Sequence, residues 1–355
     1  MVDLTAGLKG LSMSRIRFII VAAIFVSALV LVPASPASAH SPLFPKNNHD
    51  PTHAYQIDDP AKSWVIYATL DHADEGDYYK FTVSEGDKIQ IGLMAADSPS
   101  VSGFLPSFVL MIPGWGQKTN LPSYVEVPAG YGTMVVDGQH PGRASYEPFS
   151  PGWLYDLADL TIDAPTGGTY YVAVYDNARK TGNYGLPIGY VESFTPSEWL
   201  LIPYYVHTTY VWEGQNLFVT YLPLILTIAV GGVILYRRSG QGKAPKAISK
   251  WAAAVAGLSF LGTAVGILYQ MILAMIVTGL AVEAVFTLIF VAIGVVLSVP
   301  TLLYGIREKP ALTMGRRLAL VLIGTLALVG WAGFLLGTAL AILAAVVPPY
   351  ATTKE

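Results

Sequence analysis

The sequence predicts two fold classes in one chain: an exported antiparallel β-sandwich, jelly-roll or Greek-key-like, followed by an all-α four-helix transmembrane domain. Three observations predict it. Of 355 residues, 53% are hydrophobic and only 13% charged, where soluble domains carry about a quarter. The net charge of −3 averages two unlike parts. His40 to Gln215 carries 20 acidic against 8 basic residues and 16 of the 21 tyrosines, whereas Asn216 to Glu355 carries 10 basic against 3 acidic. Finally, there is no cysteine, which excludes disulfide scaffolds, thiolate metal sites and thiol catalysis.

The elements follow in chain order. Arg15 and Arg17 precede the apolar run Phe18–Val32 and the small-residue stretch ending Ala37-Ser38-Ala39. That is the layout of a secretory signal peptide over 1–39, with cleavage after Ala39 making His40 the mature N-terminus. Residues 40–61, with Pro42 and Pro45, read as an extended arm pinned against the sandwich.

Residues 62–194 read as short strands. Trp64–Leu70 is rich in β-branched and aromatic residues, and Asp77–Val83 alternates Tyr79, Phe81 and Val83 against Tyr78, Lys80 and Thr82. Ser84-Glu85-Gly86-Asp87 marks a turn before the alternating Lys88–Leu93, which predicts a hairpin. Phe108–Ile112 and Tyr170–Tyr175 read as buried strands.

Thr195-Pro196-Ser197-Glu198 is a capping box with proline at the first helical position, so a helix starts there. Trp199, Tyr204, Tyr205, His207, Tyr210 and Trp212 follow within 195–215. Such residues favour headgroup level, predicting an interfacial aromatic collar; a groove for sugar rings is the alternative.

Within 216–347, four apolar runs at about 217–236, 251–271, 282–304 and 318–347 are each long enough to span the bilayer. Arg237, Arg238, Lys243, Lys246 and Lys250 separate the first two, and Arg307, Lys309, Arg316 and Arg317 the last two. Cationic loops stay in the cytoplasm, so the sandwich and the short tail 348–355 are expected outside a multi-pass plasma-membrane protein. Gly262, Gly266, Gly330, Gly333 and Gly337 read as helix-packing glycines.

The string Asp77-Tyr78-Tyr79-Lys80-Phe81-Thr82-Val83-Ser84-Glu85-Gly86-Asp87, then Gly168–Val174 and Gly182-Asn183-Tyr184-Gly185-Leu186, resembles the bacterial pre-peptidase C-terminal domain. The resemblance covers about 125 residues. It implies a secreted β-sandwich of carbohydrate-binding-module type. The flanks Phe44–Leu70 and Phe194–Gln215 resemble pieces of an uncharacterised group of prokaryotic membrane-anchored proteins, which implies architecture without an activity.

All six histidines precede Gln215, and three of them, His40, His49 and His53, fall in the first mature stretch. Imidazole and a free N-terminal amine suit copper(II), and this start resembles secreted copper-resistance β-sandwich proteins, although no methionine-rich loop follows. Asp71, Asp74, Glu75 and Asp77 form an acidic loop whose spacing departs from a calcium-binding hand, so a solvated turn is favoured over calcium. Nucleophile elbows, zinc-protease helices, P-loops and dinucleotide fingerprints are missing, and the acidic exterior repels nucleic acid.

The expected function is therefore a non-enzymatic, membrane-anchored cell-surface binding protein without a cofactor. Its partners would be a glycan or protein outside and, given more spans than anchoring needs, an intramembrane partner or a second copy. Copper handling through His40, His49 and His53 is the alternative.

Overall fold

A computed structural model describes residues 40–242, 245, 247–307 and 313–347. The expected signal peptide 1–39 and the tail 348–355 lie outside the described residues.

Among the described residues, eleven strands form two mixed sheets. The strands are β1 (Ser41–Leu43), β2 (Tyr55–Gln56), β3 (Trp64–Leu70), β4 (Asp77–Val83), β5 (Lys88–Ala95), β6 (Ser107–Pro113), β7 (Tyr131–Val136), β8 (Ser145–Glu147), β9 (Gly152–Asp163), β10 (Gly168–Tyr175) and β11 (Gly182–Ile188). One sheet has the order β1-β3-β11-β5-β9-β8, the other β2-β4-β10-β6-β7. Residues 40–61 contribute to both, because β1 runs parallel to β3 and β2 parallel to β4 as edge strands. All other pairings are antiparallel.

The two sheets share one core, with Ile66, Ile91, Tyr184 and Leu186 from the larger and Tyr79, Phe81, Phe108 and Tyr170 from the smaller, all out of solvent. That is a β-sandwich.

The expected β4–β5 hairpin is corrected. β4 lies in the smaller sheet and β5 in the larger, so the turn Ser84–Asp87 carries the chain from one sheet to the other. Gly86 takes φ +84°, and the Gly86 amide donates to the Ala164 carbonyl in the neighbouring connection. Alternation fixes which face of a strand is buried, and both β4 and β5 bury that face in the same core.

Six helices follow. The first, α1 (Pro196–Trp212), starts as expected: the Thr195 hydroxyl accepts from the Glu198 amide, and the Glu198 carboxylate accepts from the Thr195 amide. Three more, α2 (Leu217–Gly240), α3 (Ile248–Thr278) and α4 (Ala284–Ile306), are long and apolar enough to cross a membrane. At about 1.5 Å per residue, α3 is about 46 Å long, more than a hydrocarbon core needs.

The expected fourth span, 318–347, is instead a pair of antiparallel helices, α5 (Met314–Val329) and α6 (Phe334–Val346). At about 24 Å and 20 Å, neither reaches 30 Å alone. Gly330 and Gly333 end one helix and begin the next, with Gly333 at φ +69° and Trp331 at φ +50°, so these glycines make a turn. The Arg317 guanidinium then donates to the carbonyls of Ala345 and Val346, at 2.7 and 3.2 Å, returning the end of α6 to the start of α5.

Arg238 and Lys250 lie at that same end. Arg238 donates to the Ile306 carbonyl and Lys250 to that of Arg307, covering carbonyls that a helix C-terminus leaves unpaired. The sandwich docks on the opposite end, where the Thr287 hydroxyl at the start of α4 donates to the Pro148 carbonyl at 2.9 Å. Tyr146 bonds the same hydroxyl at 2.7 Å, and Phe149 packs on Phe286 at 4.5 Å.

Candidate functional site

Asp77 opens β4 and is 2% exposed. Its Oδ2 accepts from the Tyr184 hydroxyl of β11 at 2.6 Å, and that hydroxyl lies 2.5 Å from the Tyr79 hydroxyl, two residues along β4 on the same face. Its Oδ1 faces His49 Nδ1 at 2.9 Å. A chain of four side chains thus runs from the core to the surface.

Burial pushes the Asp77 carboxyl above its ordinary range, opposed by the hydrogen bond from Tyr184 and the charge of His49. Burial likewise raises Tyr184 and Tyr79, which remain phenols. A carboxylate at Nδ1 favours the Nδ1–H tautomer and leaves Nε2 as the acceptor, the arrangement that orients a ligating or proton-accepting histidine.

His72 stands edge-on to His49, with ring centres 6.2 Å apart, and Glu75 Oε2 lies 3.6 Å from His49 Nδ1. Two imidazoles and two carboxylates therefore meet where the arm crosses the β3–β4 loop. The expected trio is not assembled in this way. His40 bonds the Ser63 hydroxyl at 2.5 Å, and burial lowers its pKa to about 4, holding the ring neutral. His53 instead bonds Asp50 at 2.7 Å within its own turn.

In the acidic loop, Asp74 pairs with Arg179 at 2.8 Å while Asp77 turns inward to Tyr184. Among the described residues, no group of three or more His, Asp or Glu side chains is arranged to hold a metal ion.

The aromatic collar divides. Trp212 is buried on the outer face of the larger sheet, its ring 4.7 Å from Tyr67 and its indole N–H donating to the Ala68 carbonyl at 2.9 Å. Trp199 packs on Trp331 at the turn between α5 and α6, 4.6 Å between ring centres. Tyr205 lies 6.5 Å from Phe44, Tyr210 is buried, and Tyr204 is the exposed one at 61%. Lys62 binds Glu198 at 2.6 Å, fixing the start of α1 to the sandwich.

Sequence reasoning missed two glutamates at this junction. Desolvation raises Glu147 to about 7, against hydrogen bonds from the amides of Phe149 and Ser150. Desolvation raises Glu213 to about 8; the Gln215 amide opposes this and the charge of Glu147 adds to it. Glu213 Oε1 is out of solvent and has no hydrogen-bond partner. Glu147, His40, Tyr67, Tyr205 and Thr209 line one small hollow beneath the larger sheet. The sequence signal was slight: Glu147 sits between Tyr146 and Pro148-Phe149, and Glu213 directly follows Trp212.

No family model and no curated protein sequence matches the chain. Among solved structures, it is similar to the pre-peptidase C-terminal domain of a collagenase from Bacillus anthracis, at 20% identity and TM-score 0.24, covering 40% of this chain and 97% of that one. It is also similar to MopE, a secreted protein of Methylococcus capsulatus described as copper-binding, at 13% identity and TM-score 0.16, covering 32% of this chain and 69% of that one. The third is CorA of Methylomicrobium album BG8, described as a surface-associated copper-binding protein, at 12% identity and TM-score 0.20, covering 43% of this chain and 99% of that one. The β-sandwich of this chain rests on its own two sheets.

Proposed function

We propose that this chain is a membrane-anchored binding protein, not an enzyme, which displays its β-sandwich outside the cell on a bundle that crosses the plasma membrane. The observation that carries the reading is polarity along the bundle. Arg238, Lys250, Arg307 and Arg317 lie at one end and the acidic sandwich at the other. Positive loops stay in the cytoplasm, so the sandwich faces out; because α5 and α6 fold back as a pair, α6 ends at the cytoplasmic end, which replaces the expectation of a C-terminal end outside. Three long helices and a short helical pair exceed what display needs, and a partner in the membrane or a second copy would use the remainder.

A native chain without cysteine makes the test clean. Val101→Cys, on the sandwich at 88% exposure, is expected to react with an impermeant maleimide on intact cells. Gly240→Cys, at the cationic end of α2, is expected to react only after permeabilisation. Labelling of Gly240→Cys on intact cells overturns the orientation. For a ligand outside, the full chain in nanodiscs on a glycan array separates sugar recognition from protein recognition.

A second reading has one observation behind it: the buried carboxylate that aims His49. On this reading a divalent transition metal such as copper is held by His49 Nε2 and His72, with Asp77 orienting the first ligand. It replaces His53 with His72 and leaves His40 tied to Ser63. Copper(II) titration of the full chain is expected to lose at least tenfold in affinity in His49→Ala and in His72→Ala, and to be unmoved by His53→Ala. Equal binding by all three ends this reading.

A further inference from the structure

A partly open crevice runs between α1, α2, α3 and the α5–α6 turn, with Phe149 and Pro151 of the sandwich at one side. We propose that it holds one hydrocarbon chain of a bilayer lipid, which makes that lipid a built-in component of the protein. The inference rests on the membrane reading above.

Depth comes first. Lys250 marks the cationic end of α3, and Gln270 follows it by about 30 Å of helix, the thickness of the hydrocarbon. Gly262 and Gly266 lie between, about 18 and 24 Å along, so the crevice occupies the outer half of the membrane. Its unfilled space, open mouth included, is about 660 Å³.

Chemistry narrows the occupant. Its apolar lining includes Ile202, Leu224, Ile267 and Phe334. Of the polar groups that line it, the Gln270 amide and the Thr220 hydroxyl donate to Gln215, the Tyr221 hydroxyl bonds His207, and the Thr263 hydroxyl donates to the Ser259 carbonyl. No charged side chain lines the crevice, and the partnerless buried polar atoms lie elsewhere. A sugar, a metal or a headgroup would find no donor set, and water would be held at a cost in an apolar hollow. Left empty, the walls forfeit their contacts. Hydrocarbon is the medium around the bundle and satisfies both conditions.

Gly266 supplies an independent observation. In Gly262-x-x-x-Gly266 the two glycines behave differently: a Cβ on Gly262 would stand 2.6 Å from the Leu224 side chain, whereas a Cβ on Gly266 would meet nothing within 4 Å. Gly262 therefore serves helix contact. Gly266 serves none, although glycine in a helix interior costs about 1 kcal/mol against alanine. It lines the crevice and leaves the space a chain would fill.

The test uses the full chain, purified in mild detergent, delipidated by washing and weighed by native mass spectrometry. Gly266→Leu fills the crevice; Gly232→Leu is the matched control, because a Cβ on exposed Gly232 also meets nothing within 4 Å. Wild type and Gly232→Leu are expected to retain one bilayer lipid per chain, and Gly266→Leu to retain at least tenfold less at unchanged thermal stability. Should Gly266→Leu fail to fold, lipids brominated on the chain decide: Trp331, which lines the crevice, is expected to be quenched, as the difference from Trp331→Phe. No retained lipid, equal retention in Gly266→Leu, a quinone in its place, or an unquenched Trp331 overturns the proposal. Carbonate extraction separates the two failures: release from membranes sinks the membrane reading, whereas a chain that stays embedded without a lipid sinks only the crevice.

Discussion

Tyr79, Phe81, Phe108, Tyr170 and Tyr184 fill the middle of the sandwich, whereas the helices meet through Gly257, Gly262, Gly294 and Gly305 and a set of alanines. The first core is built of large rings, the second of the smallest residues. Water makes the difference. In the sandwich, burying aromatic area removes apolar surface from water and stabilises in proportion to that area. On the membrane reading lipid surrounds the helices, where apolar area has nowhere better to go, so contact is gained by bringing backbones close. Large-to-small changes should therefore break one half and small-to-large changes the other.

The largest effect is expected where the halves are joined. Trp212→Ala empties the site against Tyr67 and strands the Ala68 carbonyl, costing about 3–5 kcal/mol in thermal unfolding of the full chain. Trp212→Phe keeps a ring and loses the indole donor, at about 1 kcal/mol. Equal losses in the two variants would show that the ring contact contributes little.

In the bundle the opposite change is the damaging one. A Cβ on Gly305 would stand 2.7–2.8 Å from the backbone of Ala254, which cannot yield as a flexible side chain would. Gly305→Val is expected to cost about 1–3 kcal/mol by overpacking, while Gly232→Val, facing open space, changes little beyond helix propensity. Similar melting shifts in both would refute close approach as the source of bundle stability.

Tyr184→Phe keeps the ring in the sandwich core and removes only the hydroxyl that joins Tyr79 to Asp77. The expected cost is about 1–2 kcal/mol, from leaving polar atoms unpaired beneath the surface. The ring resonances of His49, followed by NMR, should move as well, because Asp77 loses its inner partner; unmoved resonances would show that the two hydrogen bonds act independently.

How much of this was legible follows from the range of each signal. β3, β4 and the start of α1 lie where strand alternation and the capping box place them, because those signals are local. The neighbour of β4 was not legible: alternation carries no information on which strand is adjacent, so a crossing between sheets and a hairpin look alike. The break at Gly330–Gly333 escaped for a similar reason, since hydropathy measures apolarity and not direction. His72 meets His49 only after β3 has crossed the sandwich, and Glu147 nears Glu213 only when α1 folds back under the larger sheet.

Those two glutamates lie at the joint itself, and they make the comparison depend on pH. Both carboxyls are raised, to about 7 and about 8, so the folded chain holds protons that the unfolded chain releases near pH 4.5. Native protons in excess make stability fall as pH rises, through to the folded values near 8. His40 has the opposite sign. Lowered to about 4, it makes stability rise with pH between about 4 and 6.5, where the unfolded imidazole binds a proton that the folded ring does not. The window from pH 6.5 to 8.5 therefore isolates the glutamates. Melting of the full chain is expected to drop there by an amount on the order of 1 kcal/mol, allowing for the solvent that still reaches the pair. In Glu147→Gln/Glu213→Gln, which keeps the shape and removes the titration, the drop should vanish. An unchanged slope in that variant would mean that the joint between sandwich and bundle is held without neutral carboxyls, and that the pH dependence arises elsewhere in the chain.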